Sequence, residues 1–343
     1  MVTDKTVENL WATYDDYADM ANRLGQSTES AIKASALFYQ QGLDTVEALK
    51  LTEDTMKLAT LAGADFETAT KQMTAALRGF HMEMSEGAHV TDVYSELAAN
   101  AAADVNGIAY AMSKTASIAS SAGMSFETTA AFLTNMIETT QEAPENIGTA
   151  MKTIIARFTE LKKNVSASES EFNDLDYNKV DKALKSVGIS IKDAQGQFRN
   201  LDEVFLELSQ KWDTLDRNTQ RYIATIAAGS RQQSRFIAMM EDYDRTMELV
   251  ETAQDSAGRS SEQFAKYQDT VEYKLNQLKN TWEQLRVTMI DSNIFKGAID
   301  SLTTFVKDLS KIDFKKLIVF TPIVAPLVKN FIKIFMDGIS NSA

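Results

Sequence analysis

Apolar residues recur every three or four positions through most of this chain, in blocks of roughly 12 to 35 residues that read as amphipathic helices. Cap residues separate the blocks. A first helix is predicted from about Thr6 to Leu24, stopping at Gly25. Ser27 or Thr28 then caps a second, which ends near Gly42, and Asp44 starts a third carrying Val46, Leu49, Leu51, Met56, Leu58 and Leu61 before Gly63. Asp65 and Ser85 read as further N-caps, each followed by acidic residues that suit the positive end of a helix dipole. Pro144 fits a first helical turn, where its missing N–H costs nothing. Helices resume near Leu201, and Asp216 and Ser230 are the expected caps of two more.

Three stretches depart from this pattern. From Val187 to Arg199 apolar residues alternate on both sides of a Gly-containing turn, which predicts a small β-hairpin over 188–199. From about Ser260 to Ile290 a long polar helix carries Phe264, Tyr267, Val271, Leu275, Leu278, Trp282, Leu285 and Met289 as one apolar stripe, which is expected to pack on this chain's own helices. Leu317 to Phe335 is strongly apolar and approaches the roughly 20 residues that cross a bilayer. Pro322, Pro326 and Asn330 oppose spanning, as do Lys329 and Lys333, each lysine costing about 2.5 to 3.5 kcal/mol near a bilayer centre. A buried or oligomer-facing helix fits this segment as well as a membrane-active one.

Composition supports a helical protein. Only Pro144, Pro322 and Pro326 interrupt stretches rich in Ala, Leu, Met, Glu, Lys and Gln, the residues that cost least in a helix. The expected class is all-α: capped αα repeats with the one small hairpin. The 343 residues divide into N-terminal helices (1–50), a helical core containing the hairpin (51–256), the long amphipathic region (257–312) and the apolar C-terminal helix (313–343). Small-residue runs at Ala98–Ala103 and Ser117–Ser121 read as places where helices approach closely. One internal repeat stands out: Gly63-Ala64-Asp65-Phe66-Glu67-Thr68 and Gly123-Met124-Ser125-Phe126-Glu127-Thr128 each place a terminating glycine, a cap, a Phe and a first-turn Glu in the same order.

Charge and candidate chemistry exclude more than they suggest. With 35 basic against 48 acidic residues, the net charge of −13 lacks the basic face that phosphate neutralisation requires, so no specific nucleic-acid binding is expected. The absence of cysteine removes disulfides, thiolate metal sites and a cysteine nucleophile. Met1 to Lys5 has no apolar signal region, which points to folding in the cytoplasm. The two histidines, His81 and His89, lie too far apart for a shared metal, with Gly87 between them. Asp15-Asp16 and Glu241-Asp242 read as solvated helix charges rather than acid–base dyads. Arg231 and Arg235 sit one turn apart after a helix start and could hold an anion, although pairing with neighbouring carboxylates fits better. No nucleophile elbow or phosphate-binding glycine loop occurs. No catalytic, cofactor-binding or metal-binding residue is therefore expected.

Several segments taken in order resemble the core of phage tail tape measure proteins. They are Gly63 to Ala69, Val105-Asn106-Gly107-Ile108-Ala109, Ala122 to Ala131, Gly148-Thr149-Ala150-Met151-Lys152 and Arg157-Phe158. The likeness continues through Asp193 to Arg199, Ala227-Ala228-Gly229-Ser230-Arg231-Gln232 and Leu278 to Glu283, with a weaker match from Leu24 to Leu43. The resemblance implies a non-enzymatic structural protein that templates tail tube assembly and length, lies in the tail lumen of the virion after assembly in the host cytoplasm, and is ejected at infection. It implies tail tube protein, tail assembly chaperones and tail tip proteins as partners, a homo-oligomer, and host membrane contact through 317–335. Family members are longer, so a fragment or a short member is expected. The alternatives are a membrane-active or pore-forming helical protein, based on 317–335, and a cell-wall hydrolase, for which no motif is present.

Overall fold

Start and stop signals decide where the helices lie. The computed structural model describes residues 13–159, 162–163, 175–176, 179–270, 272–277 and 279–280. Helix α1 (Tyr14–Leu24) ends at Gly25, which adopts φ +66° and bonds back to the last turn. Ser27 caps α2 (Thr28–Gln40), its side chain accepting from the Ser30 N–H. Asp44 and Glu47 form a reciprocal capping box at the head of α3 (Thr45–Ala62). Asp65 caps α4 (Phe66–Gly79). After a short 3₁₀ turn at Met84–Glu86 come α5 (Gly87–Asn100), α6 (Val105–Ser121), α7 (Phe126–Thr140) and α8 (Pro144–Phe158). The remaining helices are α9 (Lys179–Lys185), α10 (Leu201–Trp212), α11 (Arg217–Ala228), α12 (Gln233–Met240), α13 (Tyr243–Gln254) and α14 (Arg259–Gln268). The class is all-α. A two-residue antiparallel pair, Lys162–Lys163 with Leu175–Asp176, is the sheet content of the described residues.

Four expectations change. Ser85 caps nothing, because Glu83 and Glu86 box the 3₁₀ turn and Gly87 opens α5 directly. Ser230 caps nothing either: Gly229 at φ +74° leads through a turn closed by Gln232 N–H to Gly229 C=O, so α12 begins only at Gln233. The 188–199 hairpin shrinks to a tight turn with one isolated antiparallel bridge between Lys192 and Phe198. Asp193 closes that turn by accepting from the Gln195 and Gln197 N–H groups. Asp193 N–H donates to Gln197 C=O and Arg199 N–H to Ile191 C=O, and α10 begins at Leu201, which leaves no length for the ladder to continue. The stripe from Ser260 does not run as one helix, since α14 ends at Gln268. Thr270 breaks it, donating to Tyr267 C=O and accepting from the Tyr273 N–H. Val271, Leu278, Trp282, Leu285, Met289 and the apolar 317–335 segment lie outside the described residues. Among the described residues no helix is long and apolar enough to cross a membrane.

Contacts divide the chain into residues 1–274 and 275–343. In the first unit α7 forms the axis. Every residue from Thr128 to Ile137 is buried, as in a helix covered on all sides. Around it pack α5, α6, α8, α12 and α13. An aromatic chain locks the far side: Phe158 meets Phe205 edge-on at 4.8 Å, Phe132 meets Phe205 at 5.8 Å and Trp212 meets Phe236 at 5.8 Å, linking α7, α8, α10 and α12. A smaller apolar cluster joins Tyr17, Met20, Ala21 and Leu24 of α1 to Met56, Phe264 and Tyr273. The described part of the 260–290 stripe thus packs on the chain's own helices.

Candidate functional site

The two histidines that the sequence offers do not share a helix. His81 follows the end of α4, in the left-handed region at φ +56°, while His89 sits on α5. His89 Nε2 lies 2.7 Å from Glu127 Oε1; this hydrogen bond raises the His89 pKa and lowers that of Glu127. Asp15 and Asp16 occupy the exposed first turn of α1, Asp242 caps α13, and Arg235 of α12 reaches Glu142. Arg231 is exposed and does not join Arg235 in an anion cradle. Among the described residues no group of three or more metal-ligating side chains assembles.

Two carboxylates, Asp92 and Asp202, work as anchors. Asp92 accepts from the Gly258 N–H at 2.8 Å and from the Ser260 N–H at 2.8 Å, with the Ser260 hydroxyl also donating. One side chain of α5 thereby caps the first turn of α14, some 166 residues later in the chain. Asp202 accepts from the Ser125 N–H at 2.8 Å, and burial raises its pKa. Asp54 is 5% exposed, its Oδ2 has no partner, and burial pushes its pKa up to about 6. Arg245 of α13 spans three elements, bonding Glu138 of α7, the Asn100 C=O at the end of α5 and Glu248. Nothing in the local sequence marks Asp92 or Arg245, since both sit inside ordinary polar helix faces.

Three glycines in the segments singled out by resemblance, Gly123, Gly148 and Gly229, lie at close approaches of another part of the chain. Gly63 and Gly123 both take φ near the left-handed region, +58° and +75°, and Asp65 and Ser125 accept from Thr68 and Thr128 in the same geometry. The repeat is therefore real locally. Its two copies then diverge: Phe66 is half-buried and Glu67 pairs with exposed Lys71, whereas Phe126 is buried against Phe80, His89 and Tyr94 and Glu127 holds His89. Gly123 also abuts Asn200, where a Cβ would lie 2.3 Å from Oδ1. Gly148 touches α6, where a Cβ would lie 2.7 Å from the Ala111 carbonyl oxygen. Arg157, at the end of α8, donates to the Ile226 C=O, and its guanidinium lies 2.8 Å from where a Gly229 Cβ would be. Two distant motifs, Arg157-Phe158 and Ala227 to Gln232, thus form one junction. The arrangement can dock helices in a fixed register; it gathers no reacting groups.

Comparison with known proteins agrees with this picture. The model of the family described as phage-related minor tail protein matches residues 18–229. The tape measure protein of Pneumococcus phage Dp-1 is 23% identical over 333 residues, covering 95% of this chain and 28% of that protein. The probable tape measure protein of Escherichia phage P2 is 22% identical over 302 residues, covering 85% of this chain and 35% of that protein. The chain therefore spans about a third of the length of these relatives. No solved structure matches it.

Proposed function

The chain belongs to the phage-related minor tail protein family, and from that premise we propose that it is a folded, non-catalytic module of a tape measure protein, acting in tail assembly. Residues 51–256 are its assembly core, with 1–50, 257–312 and 313–343 as flanking helical regions. Its partners are the tail tube protein, tail assembly chaperones, tail tip proteins and further copies of itself. It works in the tail lumen after assembly in the host cytoplasm.

The observation that supports a module rather than a stretch of ruler is the Asp92 clamp on Gly258 and Ser260. A ruler must lie extended, at about 1.5 Å per helical residue. Here residues 166 positions apart share one carboxylate, so the intervening chain is folded back on itself. The length-setting segment then lies elsewhere in a longer protein.

An insertion decides the matter. Thirty helical residues placed in the exposed turn at Gly196 would lengthen an extended ruler by about 45 Å. For a folded module, tails imaged by electron microscopy keep their wild-type length. Tails lengthened in proportion to the insert would overturn the proposal.

A further inference from the structure

Arginines in this acidic chain are nearly all engaged. Arg23 pairs with Glu53, Arg199 with Glu207, Arg235 with Glu142, Arg245 with Glu138 and Arg259 with Glu96, while Arg78 and Arg157 bond to Gln41 and the Ile226 C=O. Arg217, Arg221 and Arg231 are the exceptions among the described residues; the first two lie one turn apart on α11 and the third follows its C-terminal end. The run from Arg217 to Met240 holds four arginines and no carboxylate. Helix α11 buries Ile223, Ala224, Ala227 and Ala228 in its second half, while Arg217 and Arg221, one helical turn apart in its first half, are exposed. Tyr222, the next residue along α11, is 54% exposed, and Arg231 comes two residues after Gly229. Exposed Tyr with Arg is the composition from which contact hot spots are made.

A complementary face exists on the same molecule. Helix α1 buries Tyr17, Ala18, Met20, Ala21 and Leu24, leaving Asp15, Asp16 and Asp19 exposed without ion-pair partners. Asp15 and Asp19 are one turn apart, as Arg217 and Arg221 are, and side chains at that spacing lie about 5 to 6 Å apart on any helix. Two helices laid side by side therefore match both charges at once. Within one chain α1 packs on α2 and α3, and α11 on α8, α9 and α12, so neither face serves the other.

We propose that the α11 face of one copy docks on the α1 face of a second copy. The two patches differ, so the contact is head-to-tail and leaves a free patch at each end; such contacts close into rings or propagate. Phosphate backbones are the less suitable occupant, because the remainder of a chain with net charge −13 repels them. The proposal specifies the self-contact within the assembly reading above, yet its test needs no tail, so the two can fail separately.

The test is sedimentation velocity of the full chain. Wild type is expected to associate reversibly at low salt and to dissociate at 1 M salt, where the Debye length is about 3 Å. The Arg217→Glu/Arg221→Glu variant and the Asp15→Arg/Asp19→Arg variant should each sediment as monomers with unchanged helical circular dichroism. Mixing the two variants should restore association, since each reversed face then meets its complement. A monomeric wild type at low salt, or association unaffected by either reversal, overturns the proposal. So does failure of the mixture to reassociate, or arginine-dependent binding of a DNA duplex by a wild type that does not self-associate.

Discussion

Replacing Gly148 with alanine tests the central packing claim, that the α6–α8 seam is set by backbone contact. In an ordinary helix this change stabilises by about 0.5 to 1 kcal/mol, because glycine loses more freedom on folding. Here the added Cβ would lie 2.7 Å from the Ala111 carbonyl oxygen, 2.9 Å from Lys114 Cβ and 3.1 Å from Ala111 Cα. Two of those three atoms are backbone and cannot rotate away. The helices must separate by roughly 1 Å, and a gap of that size forfeits a quarter to a half of each contact's attraction along the seam. Buried Ile147, Met151 and Ile154 would lose contacts in this way, and the 3.2 Å hydrogen bond from Thr115 Oγ1 to the Gly148 C=O would stretch. Overpacking of this kind costs about 1 to 3 kcal/mol, so against the gain of about 0.5 to 1 kcal/mol the net expectation is a loss of about 0.5 to 2 kcal/mol. Urea denaturation followed at 222 nm measures it. Gly107→Ala is the control, because its Cβ would meet mainly the Pro144 side chain at 3.1 Å and should shift stability by under about 0.5 kcal/mol. A Gly148→Ala variant as stable as wild type, or more stable, would refute the reasoning.

The other predictions concern the carboxylates. The raised His89 pKa gives stability that is complete below 6.5 and fades as pH rises through the folded value; the lowered Glu127 pKa gives stability complete above 4.5 and lost as pH falls. His89→Gln should therefore cost most between pH 4.5 and 6.5, and thermal melts showing a pH-independent deficit would sink that assignment. Asp54 has the opposite sign. Its folded pKa of about 6 exceeds the ordinary 3.8, so ionising it costs stability as pH rises through that interval, by up to about 3 kcal/mol. Asp54→Asn should gain on wild type between pH 4 and 7.5 in chemical denaturation, and a loss at pH 7.5 would contradict the claim. Asp92→Ala should free the head of α14, raising hydrogen exchange over 259–268 by about 10- to 100-fold, as expected from losing charge-assisted bonds of about 1.5 to 3 kcal/mol; unchanged exchange there would show the clamp to be idle.

Local signals carried much of this fold. Gly25, Ser27, Asp44, Gly63, Asp65, Pro144 and Asp216 act at the helix ends where they were expected, because capping is settled within four residues of chain. The all-α class follows from the period of the apolar residues and the scarcity of proline, and family membership was legible in the order of the glycine-centred motifs. The exceptions have local structural causes too. Thr270 ends a helix that periodicity alone would continue, and the Gly229 turn delays α12 past Ser230.

Tertiary structure decided which of two equivalent signals matters. Gly63 and Gly123 head near-identical turns, yet only Gly123 is pressed against another segment, at Asn200. The sequence around Asp92 is that of any polar helix face, and only folding brings Gly258 and Ser260 to it. The same holds for the Arg157–Gly229 junction and for the burial of α7, whose threonines and Asn135 give it no apolar stripe clearer than its neighbours'. The physical reason is range: caps and periodicity are fixed by neighbours along the chain, whereas close approach, charge isolation and burial depend on which distant surfaces meet, and that is set by the packing of all the helices at once.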